Sequence, residues 1–407
     1  MMRANTVTLV DRPNTEKADC DATVHWGPLS SALKAEWRSL AEDVADGDFF
    51  QRPEVFDAWR TELSNGAQCG ILLVRKSERP VGLMTVMRCN GLRPANLRVH
   101  YDYDPADATF LTKPGIRLLP VRQFGPILSL PATMLGPVCS ISESRPEVIS
   151  AFCKAFAQEK RWDMSVFPMQ ESDLPLWHKG LHAVGLRHDV QSLDRTAIVL
   201  DPVMPLPDLI AMQSKKRRQN FRRAVASGDR IGLTVRRCRD VSDIVPLLTR
   251  LAHESWKTTG RAGENVLVRY DGRQRRFFET LFLGPERDRT IATIASLPDR
   301  DIAILVGCVI GNRLTTLLTF WDGTHPESSP GIRIIADMID WAADQGLTTV
   351  DFNSGAPWLQ MFRGTTTTTQ QNLVIYGRGV RPTALRLWRA SGRSLKSMWR
   401  DGRPGSR

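Results

Sequence analysis

The chain has 407 residues, a formal net charge of +11 and 42% hydrophobic residues. That content supports real cores and the length suits two domains, while no apolar run approaches the ~18 residues of a membrane span. The seven cysteines, at 20, 69, 89, 139, 153, 238 and 308, are odd in number and form no CxxC pair. They argue against a disulfide framework or zinc ribbon and for a reducing, cytoplasmic setting.

The charge is concentrated in two places. Residues 215–239 hold ten Lys/Arg against Asp229, and residues 378–407 hold nine against Asp401. Together they carry +17, so the rest of the chain is net −6. A mildly acidic body with two basic segments favours anionic partners: phosphates, nucleic acid or a lipid surface.

The first 24 residues read as a disordered leader without the basic start and apolar block of a secretory signal. Residues 25–65 read as helical, with Leu33, Trp37 and Leu40 in register, then Val55, Phe56 and Trp59. Gly70 to Arg75 and Val81 to Arg88 read as a hairpin joined by Lys76-Ser77-Glu78-Arg79-Pro80. Residues 89–145, rich in Pro and Gly, give no assignment. A helix at Ala151 to Lys160 and strands at Asp163 to Phe167 and Thr196 to Leu200 complete the first half. Pro202, Pro205 and Pro207 mark a boundary.

The second half opens with a basic helix near Ser214. A strand follows at Ile231 to Arg237, then helices at Val241 to Trp256 and Gly272 to Leu283. Strands at Thr290 to Ser296, Ile302 to Ile310 and Leu314 to Trp321 come next, the last two turning at Gly311-Asn312. The clearest stretch runs from Ser328 to Gly355. Ser328 or Ser329 can cap a helix that starts at Pro330. Apolar lines at Ile332, Ile335, Ile339 and Ala342 and at Ile334, Met338 and Trp341 bury most of it, and Gly346 stops it. A strand ends at Phe352 in the turn Asn353-Ser354-Gly355, and a last strand spans Asn372 to Tyr376. The two halves share one order of helices and strands, a duplicated mixed α/β unit. The expected divisions are 25–203, 204–380 and a basic tail at 381–407.

Among chemical candidates, the free N–H groups at the start of the Pro330 helix, with Gly331 allowing close approach, read as a phosphate site. Asp351 interrupts an apolar strand near its C-terminal end, where such sheets place active sites. Glu254 is a second candidate base. With Lys257 where a zinc site needs histidine, His253-Glu254 is not HExxH, and His178 and His182 lack an acidic third ligand, so no metal is expected. The arginines from Lys215 onward fall on several faces, which phosphate binding or a carboxylate-rich acceptor would explain, the alternative being a solvated helix over a domain boundary.

Four stretches carry a family resemblance: SKKRRQNFRRA (Ser214 to Ala224), HESWKTTG (His253 to Gly260) with Phe277-Phe278 behind it, SSPGIRII (Ser328 to Ile335), and Asp351-Phe352-Asn353-Ser354-Gly355, like "DF-x-x-G". In order and spacing the chain resembles the GNAT acyltransferases, in the branch of the CelD-like and Fem-type proteins. The first half resembles that fold in outline only. The resemblance implies two tandem GNAT-like units and an acyltransferase moving an acyl group, acetyl among them, from acyl-CoA to an amine or hydroxyl, with a sugar of exopolysaccharide assembly as one acceptor. It implies Asp351 and Glu254 as catalytic candidates. Ser329, Gly331, Ile332 and Arg333 would hold the donor. Lys215, Arg218, Arg222, Trp256, Asn353 and Trp358 would hold the acceptor. The lysine that often follows DF-x-x-G is absent, and Arg363 is its candidate replacement. Alternatives are a Fem-like aminoacyl-tRNA-dependent transferase, whose basic helix would meet RNA, and a non-catalytic scaffold at an anionic membrane surface held by the tail.

Overall fold

The computed structural model describes residues 20–42, 49–64, 67–91, 121–126, 138–139, 145–255, 272–324, 329–352, 357–362 and 366–387. The first half runs β1 (Cys20–Trp26), α1 (Ser31–Glu42), α2 (Pro53–Glu62), β2 (Gln68–Lys76), β3 (Arg79–Gly91), β4 (Val121–Pro126), β5 (Val138–Cys139), α3 (Arg145–Gln158), β6 (Met164–Gln170), α4 (Leu174–Ala183) and β7 (Arg187–Leu200). Two helices, α5 (Leu206–Ala211) and α6 (Lys215–Arg230), lead into the second half. It runs β8 (Thr234–Cys238), α7 (Val241–Glu254), α8 (Gly272–Phe282), β9 (Thr290–Ser296), β10 (Asp301–Ile310), β11 (Arg313–Trp321), α9 (Pro330–Asp344), β12 (Thr349–Asp351), a 3-10 turn (Pro357–Phe362) and β13 (Thr366–Tyr376).

Apart from the two-residue β5, each half reads strand, two helices, three strands, helix, strand, a helical connection (α4 in the first half, the 3-10 turn in the second) and a final strand. The duplication expected from the sequence is therefore present. In each half the third strand after the helix pair lies parallel to the strand after the next helix: β4 with β6 through Gln123↔Met164, and β11 with β12. The final strands are exchanged. β7 of the first half pairs with β12 of the second, and β13 of the second pairs with β6 of the first, from Gln370↔Gln170 to Tyr376↔Met164. β7 and β13 also pair with each other, so all strands join one 13-stranded sheet.

Three large cores flank this sheet. One is shared: Trp37, Phe56 and Trp59 of the first half pack with Leu248, Phe277, Phe278 and Phe320 of the second. A second lies under α3 and α4 around Phe152, Phe156 and Trp177. The third lies under α9 around Ile335, Ile339 and Val350, and the apolar lines read for this helix from the sequence are its buried faces. Burial of that many large side chains at ~25 cal/mol per Å² is the dominant stabilisation.

Some expectations need correction. Residues 20–24 belong to β1 and not to a leader, because Ala22, Val24 and Trp26 alternate onto the α3 core while the backbone pairs with β2. Inside α4, Gly180 lies where a Cβ would be 2.7 Å from the Cys153 sulfur, so the glycine permits the close approach of α3 and α4. Residues 380–387 are helical, with Leu385 packed on the sheet. The rest of the expected tail lies outside the described residues.

Candidate active site

β11 and β12 run parallel for only three pairs, Arg313↔Thr349, Leu314↔Val350 and Thr315↔Asp351. β12 then stops while β11 continues to Trp321. Beyond Thr315 the β12-facing edge of β11 has no ladder partner among the described residues. On its other side β11 carries a bulge: the register steps from Val306↔Leu318 to Gly307↔Thr316, leaving Leu317 extra. A bulge bends a strand and re-aims its groups. Gly307 accommodates it, since a Cβ there would come within 2.8 Å of Leu314 Cδ1 and 3.2 Å of the Thr315 oxygen. The result is a wedge walled by backbone donors and acceptors.

Asp351 lies where the two strands part. Val350 packs in the core under α9, so by strand alternation Thr349 and Asp351 face the other way. Asp351 is 4% exposed, and Arg313 Nη2 donates to its Oδ2 across 2.5 Å. Charge-assisted bonds of this kind orient both partners. The sequence reading singled out Asp351 and not its ion-pair partner Arg313. Its position at the start of β11, just after a Gly-Asn turn, gave no hint that it reaches across to the end of β12.

The start of α9 is less open than its sequence suggests. Ser329 is in the left-handed region (φ 47°, ψ 51°) and its side chain makes no cap bond, because a capping serine needs extended backbone. Pro330 has no N–H, and the Ile332 N–H is bonded to the Ser329 oxygen at 2.9 Å. Among the described residues of α9, Gly331 is thus the one backbone donor ahead of Ile332. It is buried, and a Cβ added there would lie 3.6 Å from Trp321 Cε3, so the indole covers this side. Arg333 is bonded to Asp229 Oδ1 at 2.8 Å and to the Val225 oxygen at 3.4 Å, joining α9 to α6. A pyrophosphate is best held by several convergent N–H groups. The described residues here supply fewer, so they fit that group only in part.

The remaining candidates divide. Glu254 ends α7 on the surface, paired with Arg250 at 2.8 Å. Its neighbour Ser255 is fully buried and bridges to Asp322, just past β11. Asp322, 4% exposed, accepts from the Thr324 N–H and pairs with Arg300 at 2.8 Å, fixing the far end of β11. Of the basic residues, Arg218 turns inward and donates to the carbonyls of Ala211 and Gln213, closing the end of α5. Lys215 and Arg222 stay exposed. Trp256, Asn353 and Arg363 lie outside the described residues, and of Trp358 only the backbone, in the 3-10 turn, is described. His178 is bonded to His188, with 2.5 Å between ring nitrogens. Among the described residues no three His, Cys, Asp or Glu side chains form a metal-sized group.

Residues 215–357 match the family model for the acetyltransferase (GNAT) domain. The chain is similar to FemX, with a TM-score of 0.55 and 11% identity over 89% of this chain and 99% of that one. It is similar to a conserved protein of unknown function from Bacteroides thetaiotaomicron, with a TM-score of 0.51 and 9% identity over 87% of this chain and 100% of that one. A tandem GNAT protein from the clavulanic acid biosynthesis pathway aligns at a TM-score of 0.45 and 11% identity, over 86% of this chain and 98% of that one. No curated protein matches the sequence.

Proposed function

We propose that this chain, whose residues 215–357 match the acetyltransferase (GNAT) domain model, transfers an acyl group from an activated donor to an amine or hydroxyl in the wedge between β11 and β12. The open β12-facing edge of β11, on a strand whose other side is bulged against β10, is the observation that carries this reading. An acyl carbonyl lying along that edge meets backbone N–H groups already fixed in position. They stabilise the oxyanion that forms when the acceptor's lone pair attacks the carbonyl carbon. The carbonyl then re-forms, the donor's leaving group departs with its electron pair, and the acceptor's proton passes to a base. Asp351 is the candidate for that base or for the group that positions it, with Arg313 holding it in place. Glu254, turned to Arg250, is the weaker candidate.

Acyl-CoA is the first donor class, with Ser329, Gly331, Ile332 and Arg333 nearest its phosphates. Lys215 and Arg222 suit an anionic part of the acceptor, Trp256, Asn353 and Trp358 complete the proposed acceptor set, and a sugar of envelope or exopolysaccharide assembly fits an acceptor of that kind. A second reading, an aminoacyl-tRNA donor, is favoured by the single N–H donor ahead of Ile332. Setting, whether cytoplasmic or peripheral to a membrane, belongs to the same proposal: no described helix is long and apolar enough to cross one.

The test is a thermal-shift panel with acetyl-CoA, longer acyl-CoAs, free CoA and a charged tRNA, followed by mass analysis of acceptor mixtures. A ligand at ~100 times its dissociation constant adds about 2.7 kcal/mol. Stabilisation by acyl-CoA supports the first donor, stabilisation by charged tRNA alone supports the second, and no shift with any of them rejects both.

A further inference from the structure

The helix α6 packs on α9 and the 3-10 turn, and its outer face carries one sign of charge. Successive residues of a helix turn by about 100°, so Lys215, Lys216, Gln219, Arg222, Arg223, Ala226 and Arg230 fall within an arc of roughly 120°. All seven are exposed. At ~1.5 Å per residue the five cations span roughly 22 Å. The opposite face carries the contacts: Ala224 and Gly228 are buried, and the Phe221 ring lies 6.2 Å from that of Phe362. Arg217 and Arg218 turn toward Gln213, off the stripe. The one acid of the helix, Asp229, is bonded to Arg333. Among the described residues none of the five cations has an acidic partner, and Arg230 reaches only the carbonyl of Ala226.

We infer that this stripe docks the protein on an anionic bilayer surface. The argument is charge complementarity: five cations lie on one side of one helix with no acidic partner among the described residues. Each Lys or Arg brought to such a surface strengthens binding about fivefold. The stripe holds no aromatic side chain, so it lacks the stacking platform on which single-stranded nucleic acid is held. Met212, 62% exposed in the turn just before α6, adds an apolar side chain that can enter the headgroup boundary. The inference deepens the proposed function, because docking on α6 would bring the wedge to an acceptor carried at that surface. It does not use the basic segment beyond residue 387.

The experiment is sedimentation of the full chain with vesicles of phosphatidylcholine, and of phosphatidylcholine mixed with phosphatidylglycerol. No donor or acceptor is present, so the outcome is independent of catalysis. The fourfold variant Lys215→Gln, Lys216→Gln, Arg222→Gln, Arg223→Gln is compared, with its circular dichroism and melting checked against the parent. These exposed positions leave the fold intact. The parent is expected to bind only the anionic vesicles, less so at high salt, and the folded variant to bind at least about a hundredfold more weakly. Equal binding by both, or no binding by the parent, overturns the inference. So does a parent that ignores vesicles but binds homopolymeric RNA through the same four residues.

Discussion

Arg52 and Glu286 are 234 positions apart, and Arg52 Nε donates to Glu286 Oε1 across 2.8 Å. Arg52 stands at the start of α2 in the first half, and Glu286 follows α8 in the second, its side chain fully buried. Burial pushes the Glu286 carboxyl above its ordinary range, and the charge and hydrogen bond of Arg52 only partly offset this. Removing the arginine therefore leaves a buried acid opposed only by Arg289, 3.8 Å away. Arg52→Met is expected to cost about 3–5 kcal/mol at neutral pH. A carboxyl whose folded value is raised is stabilising below its unfolded value of 4.5 and loses that contribution as pH rises. The Arg52→Met deficit should thus shrink on acidification, and Glu286→Gln should cost much less. Urea unfolding at pH 7 and pH 5 checks both.

Asp163 behaves in the opposite sense. Burial alone would raise its carboxyl, but the side-chain and backbone bonds of Arg122 and the charges of Arg122 and Arg381 hold it below 3.8. Its side chain is 1% exposed, and it pairs with Arg122 at 2.8 Å and Arg381 at 3.1 Å. Asp163→Asn is expected to cost on the order of 2 kcal/mol at neutral pH. A depressed carboxyl contributes above its unfolded value and loses that contribution as pH falls through the folded one. The gap between parent and variant should close in strongly acidic buffer, as read by thermal melting from pH 7 downward.

The exchange of final strands makes the halves interdependent. Expressed alone, 20–203 lacks β13 beside β6, and 204–387 lacks β7 beside β12. Each is expected to be insoluble or molten, and the two co-expressed are expected to form one soluble complex. Near-ultraviolet circular dichroism and size-exclusion chromatography distinguish these outcomes.

At the wedge, Asp351→Asn preserves shape and removes the charge facing Arg313. If Asp351 carries or positions the base, turnover with the donor that the panel identifies falls about a hundredfold or more, while Glu254→Gln changes it less than threefold. Single-turnover assays on folded variants measure both. Equal effects would move the chemistry elsewhere.

At the start of α9, Gly331→Ala is expected to fold normally, because the new methyl meets the Trp321 ring at ordinary contact distance. Gly331→Glu adds a carboxylate there. Calorimetry is expected to show weakened acyl-CoA binding for the glutamate variant alone. Unchanged affinity would remove the helix start from the donor site.

The sequence made α9 legible because both apolar lines recur at three and four residues, and the β10–β11 hairpin legible because Gly311-Asn312 permits its turn. Asp351 was legible as a charge inside an apolar strand. The partners of these elements were not. Whether Arg218 faces outward as a ligand contact or inward as the cap of α5 depends on where α5 ends in space, which no local pattern encodes. Likewise the 3.6-residue pattern that identifies α9 says nothing of the left-handed Ser329 or of the indole lying beside Gly331. The pairing of β13 with β6 joins residues about two hundred positions apart, and strand propensity names no partner.

That last pairing also sets an order in time. A ribosome releases this chain from its N-terminus, so β6 emerges long before β13 exists. Until the last strand is made, the first half presents an open edge of unpaired backbone groups, the kind of edge through which chains associate wrongly. A pause, a premature stop or a nick before Thr366 would therefore leave a half-finished sheet with β6 uncovered. The quality of the finished molecule depends on synthesis running to its end.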